Sequence, residues 1–213
     1  MARPYGQYCG LAKALDVVGG RWTLLVIREL LVGPQRYTDL LAGIPGVSTD
    51  VLASRLRELE AAGVVEKRVL APPASSNVYE LTELGMALAR PVGALAAWGA
   101  NLLGSPRRGD AYRLSWLLLP LRARFRPELA EDLDCACELR VGKEMIGIRI
   151  VDGRLDTAES LDRDPDVIIT TDAQTLLRLG RGTAAIDEVV DAGSLGFDGD
   201  LEVLAALIRT FGM

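Results

Sequence analysis

The stretch STDVLASRLRELEAAG at residues 48–63 decides the fold of the first half of the chain. Leu52, Leu56 and Leu59 recur in it at helical spacing and share one face. Ser48 is a suitable N-cap, and the glycine that ends the stretch is a suitable helix stop. The sequence therefore predicts a helix that buries its leucines and turns a polar side outward.

Short apolar-periodic segments precede this helix, and a hairpin and a longer helix follow it. The predicted elements are helices at Cys9–Val18, Arg21–Leu31 and Tyr37–Leu41, strands at Val64–Leu70 and Val78–Leu81, and a helix from Thr82 past Trp98 with a kink at Pro91. This order is typical of a winged helix-turn-helix, which places one helix in the DNA major groove and a hairpin beside the backbone. The alternative is a helical bundle with a hairpin and no role in DNA binding.

Several side chains of this segment are candidates for contact with double-stranded DNA. Those best placed to meet base edges or nearby phosphates are Thr49, Asp50, Ala53, Ser54 and Arg57. Arg57 is the strongest candidate, because arginine can bind guanine or a phosphate with two hydrogen bonds. The predicted phosphate contacts are Arg36, Arg55, Lys67 and Arg68. The alternative for each of them is a solvated surface charge.

The composition excludes several classes of protein. The 213 residues suggest two domains, and 49% hydrophobic with 25% charged residues is typical of a soluble folded chain. The chain has no histidine, which rules out a Ser-His triad and a His-based zinc site. No apolar run approaches the roughly 18 residues of a membrane helix, and three cysteines are too few for a disulfide framework. We expect a cytoplasmic protein with no membrane partner, metal or other cofactor.

The charge is divided unequally along the chain. Gly, Pro and charged residues interrupt the apolar pattern near Gly104, so we predict domains at 1–104 and 105–213. The first carries 10 Lys and Arg against 9 Asp and Glu, a net +1, and the second carries 14 against 20, a net −6. Any DNA affinity must therefore come from the placement of individual arginines rather than from a broad positive field.

The second domain mixes helices and strands. Its predicted elements are a helix at Tyr112–Arg124, strands at Cys135–Val141, Ile146–Val151, Asp166–Thr171 and Leu195–Phe197, and helices at Ala173–Leu179, Thr183–Asp191 and Leu201–Phe211. Cys135 and Cys137 point to the same face of an alternating strand, where packing explains them better than metal binding. Asp198 and Asp200 are typical of helix-capping turn chemistry rather than of a catalytic pair.

Four segments of the first domain carry a family resemblance. They are CGLAKALDVVGGRWTLLVIRELL at 9–31, RYTDL at 36–40, LRELEAAGVV at 56–65 and YELTELG at 79–85. Together they resemble the HxlR-type branch of winged helix regulators, related to the MarR group, and Gly-Gly-Arg-Trp at 19–22 is the most specific part. The resemblance implies a DNA-binding homodimer whose interface is built by the first and last helices of the domain. This chain departs from it by having few arginines early in the fourth helix and at the hairpin tip. We therefore expect a weaker salt dependence and a lower non-specific affinity than in a typical relative, or an operator with unusual shape preferences.

Cys9 lies where several HxlR-type proteins have a redox-sensing cysteine. The start of the first helix and nearby Lys13 would lower the pKa of its thiol, which reactivity requires. No resolving cysteine is evident nearby, and the alternative is a small apolar residue packed in the dimer interface. Cys9 is therefore a redox candidate.

The second domain resembles the sterol carrier protein domain, an α+β fold with an apolar tunnel. The resembling stretches are DVIITTDAQTLLRL at 166–179 and GSLGFDGDL at 193–201. The resemblance implies a pocket for a lipid or another small apolar ligand. Its predicted lining is Trp116, Ile148, Ile169, Leu179, Phe197, Leu207 and Phe211, each of which can instead be ordinary core.

The sequence as a whole predicts an α+β protein with an N-terminal winged helix-turn-helix and a C-terminal sterol carrier protein-like domain. The predicted function is a DNA-binding transcriptional regulator controlled by a small apolar ligand, with thiol redox at Cys9 as a further candidate. The alternative is a carrier of lipid or another apolar ligand whose winged helix serves only dimerisation. No catalytic nucleophile, acid-base pair or phosphate-binding glycine loop occurs at useful spacing, so an enzyme is not predicted.

Overall fold

A computed structural model gives the structure and describes residues 4–69, 76–103, 110–111, 113–116, 119, 124–158 and 161–212. The chain forms two compact units, Met1–Ala89 and Arg90–Met213. The domain boundary predicted near Gly104 falls outside the described residues. Within the described ranges, no helix is both long and apolar enough to cross a membrane.

The first unit combines helices with a small antiparallel sheet. In chain order its elements are α1 Gly10–Val18, α2 Thr23–Leu30, β1 Gln35–Arg36, α3 Tyr37–Gly43, α4 Thr49–Ala61, β2 Val65–Val69, β3 Asn77–Leu81 and α5 Glu83–Met86. The strand order is β1-β3-β2, and both pairings are antiparallel. The predicted helix-turn-helix and hairpin are confirmed, and β1 is an additional strand that the sequence did not predict.

The core of the first unit forms around α4. Leu52, Leu56 and Leu59 are almost completely buried, as their spacing predicts. Val26 and Ile27 of α2 are fully buried as well, and α2 contacts α3, α4 and β3. Each buried leucine contributes roughly 1.5–3 kcal/mol relative to an exposed one. This burial fixes which side of α4 is left accessible.

Two hydroxyl caps set the ends of the central elements. Ser48 Oγ accepts a hydrogen bond from the Val51 N–H at 3.4 Å at the start of α4. Thr82 Oγ1 accepts from the Gly85 N–H at 3.1 Å and donates to the Gly63 carbonyl at 2.6 Å. The second cap therefore ties the start of α5 to the turn that ends α4.

The prediction of one kinked helix from Thr82 to beyond Trp98 was wrong. The structure has α5 and then a separate helix, α6 at Ala89–Ala100. Pro91 lies in the first turn of α6, where a missing N–H breaks no internal hydrogen bond. The proline thus belongs to the start of a new helix rather than to a kink within a long one.

In the described part of the chain, the second unit contains α6, a five-stranded sheet and, from the first strand of that sheet onward, three further helices. They are β4 Cys135–Val141, β5 Glu144–Val151, β6 Arg154–Ala158, β7 Val167–Thr171, α7 Ala173–Arg181, α8 Ile186–Asp191, β8 Leu195–Gly199 and α9 Leu201–Thr210. The strand order is β6-β5-β4-β7-β8, with β4 and β7 parallel and the other neighbours antiparallel.

Most of the predicted elements of this unit are confirmed, with two differences. The edge strand β6 was not predicted, because its alternating Arg154 and Asp156 are exposed and give little apolar signal. The helix predicted at Tyr112–Arg124 lies largely outside the described residues. The predicted turns at Gly142 and Gly153 join β4 to β5 and β5 to β6.

Candidate nucleic-acid interface and ligand cavity

The side of α4 opposite the buried leucines is polar and accessible. Thr49, Asp50 and Arg57 are exposed, while Ala53 and Ser54 are half-buried. The Arg57 Nε donates to the Ala53 carbonyl at 3.3 Å, which holds the guanidinium along the helix. The predicted base-reading side chains therefore share one surface of α4, although two of them reach solvent only in part.

Glu58 engages two of the predicted DNA-contacting side chains. Ser54 Oγ donates to one oxygen of the Glu58 carboxylate at 3.1 Å, and Arg55 forms an ion pair with the other. The side chains of Arg55 and Glu58 are only 27% and 28% exposed. Arg55 can therefore reach a phosphate only when this ion pair opens. Glu58 was not among the predicted site residues, although spacings of three and four residues along a helix are a sufficient signal for such contacts.

The Gly-Gly-Arg-Trp turn packs against one flank of α4. Trp22 has a φ of 79°, in the left-handed region that bulky residues rarely adopt. A Cβ on Gly20 would lie 2.7 Å from Nη1 of Arg55, so only glycine allows the guanidinium to approach this closely. Arg21 is exposed, and its guanidinium carbon lies 5.1 Å from the centroid of the Trp22 ring. The most specific part of the sequence motif thus builds a packed turn with an arginine on its outer side.

The hairpin presents its basic residues on both faces. Arg36 and Arg68 both lie opposite Val78 in the strand register, whereas Lys67 lies opposite Tyr79. Because neighbouring residues of a strand point to opposite faces, Lys67 and Arg68 cannot face the same surface. The Lys67 Nζ lies 5.9 Å from the centroid of the Tyr79 ring. Burial raises the pKa of Tyr79, and the nearby carboxylate of Glu60 raises it further.

Two cations of the hairpin already have partners. Arg68 Nε forms an ion pair with Glu80 at 2.9 Å, and Arg36 Nε donates to Ser76 Oγ at 3.1 Å. Serine is neutral, so Arg36 keeps its full positive charge, whereas Glu80 offsets that of Arg68. The hairpin tip at residues 70–75 lies outside the described residues.

Two helices carry exposed apolar side chains, as a dimer interface requires. On α1, Leu11 is 69% exposed, and Leu15 follows one turn later at 40%. On α6, Leu95 and Trp98 are also exposed. Both helices were predicted to build a dimer interface, and both have apolar surface available for one.

Cys9 is exposed and immediately precedes α1. The backbone N–H groups of Ala12 and Leu11 hold the pKa of the Cys9 thiol below its ordinary value. The predicted direction of this shift is confirmed, with the start of the helix as its cause. The predicted contribution of Lys13 is not found, since its ammonium group lies 3.8 Å from the carboxylate of Asp16.

The sheet and helices of the second unit enclose an apolar cavity. Its volume is about 80 Å³. Five of the predicted ligand-binding residues line it, namely Ile148, Ile169, Leu179, Leu207 and Phe211. Trp116 and Phe197 are not among the described lining residues, and Phe197 is 39% exposed on the edge strand β8.

The cavity wall has very little polar character. Among the described lining residues, the polar groups are the hydroxyls of Thr157 and Thr171 and the thiol of Cys137, and none is charged. Thr171 Oγ1 donates to the Ser194 carbonyl at 2.9 Å, so its proton is already used. A molecule in this cavity would be held by apolar contacts rather than by ionic ones.

The two cysteines of β4 are packing residues. Burial raises the pKa of Cys135 to about 11 and that of Cys137 to about 12. No group of three or more metal-ligating side chains occurs in the part of the chain that the structure describes. Asp200 accepts the Glu202 N–H at 2.7 Å and caps α9, which agrees with the predicted capping role.

The C-terminal end of α9 is hydrogen-bonded to the segment before the sheet. Arg124 donates from Nη2 to the Gly212 carbonyl at 2.9 Å and from Nε to the Phe211 carbonyl at 3.3 Å. The Arg126 N–H donates to the Thr210 carbonyl at 2.7 Å. Residues 124–126 are therefore attached to the helix whose Phe211 end lines the cavity.

Comparisons with known proteins match both parts of the chain. The HxlR-like helix-turn-helix model matches residues 17–106, and the SCP-2 sterol transfer family model matches residues 126–212. The HTH-type transcriptional regulator YvaP of Bacillus subtilis is 40% identical over 42% of this chain and 82% of its own length. YodB of the same organism is 38% identical over 41% of this chain and 79% of its own length. A solved structure of reduced YodB is 34% identical, covers 49% of this chain and 100% of its own, and has a TM-score of 0.40.

A winged helix-turn-helix with a polar face on its fourth helix defines a DNA-binding transcriptional regulator. The chain belongs to the HxlR-like helix-turn-helix family, and residues 126–212 match the SCP-2 sterol transfer family model. The predicted α+β architecture and both family resemblances are confirmed.

Proposed function

We propose that this regulator binds a two-fold DNA site as a homodimer and that a small apolar molecule in its C-terminal domain controls the binding. The observation that carries the proposal is the presence in one chain of a DNA-binding helix and an apolar cavity whose described lining has no charge. We keep the domain boundary at residue 104, which assigns α6 to the DNA-binding domain.

In the proposed complex, α4 lies in the major groove. Arg57 is placed to bind guanine or a phosphate, and the carboxylate of Asp50 can accept a hydrogen bond from the amino group of cytosine. Thr49 is exposed beside them at the start of the helix. Arg36 and Lys67 contact phosphates on either side, since neither is offset by a carboxylate in the described hydrogen bonds and ion pairs.

Dimerisation is proposed to cover the apolar surfaces of α1 and α6. Burying Leu11, Leu15 and Trp98 against a second copy removes exposed apolar area that a monomer would leave in water. A two-fold dimer also presents two copies of α4, which a two-fold operator requires.

A small apolar molecule suits the cavity by chemistry. Ligand pockets in proteins typically have volumes of about 300–1000 Å³ and mostly apolar walls. The cavity here is smaller, about 80 Å³, so a lipid-sized ligand requires it to widen on binding. A lipid or a compact polycyclic molecule is therefore the proposed class of ligand.

Control of DNA binding by a ligand requires that the ligand bind the DNA-competent and the DNA-incompetent state with different affinities. Leu207 and Phe211 line the cavity from α9, and Arg124 and Arg126 are hydrogen-bonded to the end of that helix. A ligand that shifts α9 would thus shift residues 124–126, at the N-terminal side of the sheet.

DNA binding is tested by substituting Arg57, Lys67 and Arg68 with alanine together. We expect retention on immobilised genomic DNA to fall and to lose part of its salt dependence. The matched control replaces Arg140, Lys143 and Arg154, exposed basic residues of the second domain, and should leave retention unchanged. Equal retention of both triple variants and the wild-type protein would reject the DNA interface proposed for α4 and the hairpin.

Ligand control is tested in two steps. Mass spectrometry of gently purified protein should show a co-purifying apolar molecule. Its affinity is then measured with and without bound DNA, and linkage requires the two values to differ. Equal affinities would reject control while leaving ligand carriage intact, which is the alternative function that the sequence also allows.

Thiol chemistry at Cys9 is the second proposed input. The observations that favour it are the exposure of the thiol and its lowered pKa, which together increase the reactive thiolate fraction. Oxidant treatment should change DNA retention of the wild-type protein and leave a Cys9→Ser variant unaffected. An equal response of the two proteins would remove Cys9 from the mechanism.

A further inference from the structure

The turn that precedes α2 carries an arginine with no assigned role. Arg21 is exposed and forms no ion pair with any residue that the structure describes. Its guanidinium carbon lies 5.1 Å from the centroid of the Trp22 ring, so the side chain rests on an aromatic surface. Trp22 is half-buried with a left-handed backbone, which makes it a fixed support. The charge of Arg21 is therefore held in one region rather than spread over many rotamers.

This turn lies against the start of the DNA-binding helix. A Cβ on Gly46, in the turn between α3 and α4, would lie 3.5 Å from Cη2 of Trp22. A Cβ on Gly20 would lie 2.7 Å from Nη1 of Arg55, on the flank of α4. The two neighbours of Arg21 in the chain, Gly20 and Trp22, thus lie against the stretch from Gly46 to Arg55. DNA bound along the N-terminal half of α4 would therefore pass close to this turn.

The turn also keeps unused hydrogen-bonding capacity. Thr23 Oγ1 and Arg55 Nε are buried and have no hydrogen-bond partner among the described residues. Thr23 Oγ1 would lie 2.9 Å from a Cβ on Gly20, and the guanidinium carbon of Arg55 would lie 3.4 Å from it. Both polar side chains therefore border the glycine that precedes Arg21.

We propose that Arg21 is a phosphate contact of the DNA complex, positioned by its stacking on Trp22. The site takes a phosphodiester oxygen of the strand that flanks α4, and arginine binds it by charge and by directed N–H donors. This inference rests on the proposed DNA binding by α4. It adds a contact from the turn before α2 to those from α4 and the hairpin.

The test measures the salt dependence of DNA binding for Arg21→Ala and Arg21→Lys. The probe is a fluorescein-labelled duplex of about 30 base pairs, long enough for two half-sites one helical turn apart. Each lost phosphate contact reduces the slope of log K against log salt by about 0.9, so a dimer of Arg21→Ala should lose about 1.8. Arg21→Lys keeps the charge and should keep most of the slope. The control is Arg154→Ala, which removes an exposed arginine from the edge strand of the second domain.

The outcomes separate this inference from the function on which it rests. A reduced slope for Arg21→Ala, with Arg21→Lys and Arg154→Ala near wild type, supports the phosphate contact. An unchanged slope for Arg21→Ala, with the wild-type protein still binding DNA, overturns the role of Arg21 alone. Absence of salt-dependent binding by the wild-type protein overturns the proposed function itself. Circular dichroism spectra that match the wild type confirm that each variant is folded.

Discussion

Replacing Glu58 with glutamine should strengthen DNA binding while weakening the fold. The Glu58 carboxylate accepts a hydrogen bond from Ser54 and neutralises Arg55. The amide oxygen of glutamine can still accept from Ser54, but the attraction that holds the Arg55 guanidinium against α4 is lost. A negative charge is also removed from the surface that approaches DNA.

The two effects have opposite signs and can be given magnitudes. A partly exposed ion pair contributes up to about 1 kcal/mol, and discounting for the roughly one-quarter exposure of both side chains keeps the loss near that value. In a domain of this size, such a loss lowers the melting temperature by about 4–8 °C. If Arg55 then reaches a phosphate in each protomer, the slope of log K against log salt concentration becomes steeper by about 1.8. Relative to the wild type, affinity should then rise about tenfold between 0.2 M and 0.05 M salt.

The assay is fluorescence anisotropy with a labelled duplex at several salt concentrations, with thermal melts of the same samples. The control is Glu202→Gln, which removes the same charge from an exposed position on α9. It should change neither the salt slope nor the DNA affinity by a comparable amount. A purely structural role for Glu58 would lower stability and DNA affinity together. That joint decrease, or an unchanged slope, would refute the view that Glu58 restrains a cation of the DNA interface.

Three further perturbations probe the core, the thiols and the cavity. Leu56→Ala should cost about 2–5 kcal/mol in urea-induced unfolding, because Leu56 is almost completely buried. Alkylation by iodoacetamide should modify Cys9 with a midpoint below that of an unperturbed thiol, since a lowered pKa gives more thiolate at a given pH. Cys135 and Cys137, buried and with pKa values of about 11 and about 12, should react only after unfolding. Leu207→Trp should fill the cavity and abolish fluorescence enhancement of N-phenyl-1-naphthylamine while DNA retention persists.

Each of these perturbations has a matched control. Leu84→Ala removes an exposed leucine of the first unit and should cost less than about 0.5 kcal/mol. Cys9→Ser should eliminate the fast alkylation phase and leave the slow phase unchanged. Leu201→Trp enlarges an exposed leucine of the same helix as Leu207 and should leave probe binding intact. If a control variant has the same effect as its test variant, the effect does not depend on the stated site.

The sequence predicts α4 well because its signals are local. Helical spacing of three leucines, a serine cap and a terminal glycine all lie within one stretch, and burial agrees with them. The ion pair of Arg55 with Glu58 is also local, since three residues along a helix bring two side chains together. A pattern of charges alone does not decide whether such an arginine pairs with a carboxylate of its own helix or with a phosphate.

Tertiary contacts explain what sequence patterns could not predict. The left-handed backbone of Trp22 and the approach of Arg55 to Gly20 depend on how α2 packs against α4, residues far apart in the chain. Phe197 was predicted to line the cavity, yet it is exposed on β8, a strand at the edge of the sheet. Periodicity indicates which face is apolar, but not where along a strand the covering helices end.

The number of cations in the proposed DNA interface bears on how large an effect a ligand must have to control DNA binding. Four cations lie near α4 without a carboxylate partner in the described structure, namely Arg21, Arg36, Arg57 and Lys67, and Asp50 opposes them. Because few phosphate contacts are available per protomer, affinity should lie close to the level needed for occupancy rather than far above it. A change of about 1.4 kcal/mol in the binding free energy alters the affinity tenfold. A ligand that prefers one state of the dimer by about that amount would therefore suffice to empty or fill the operator.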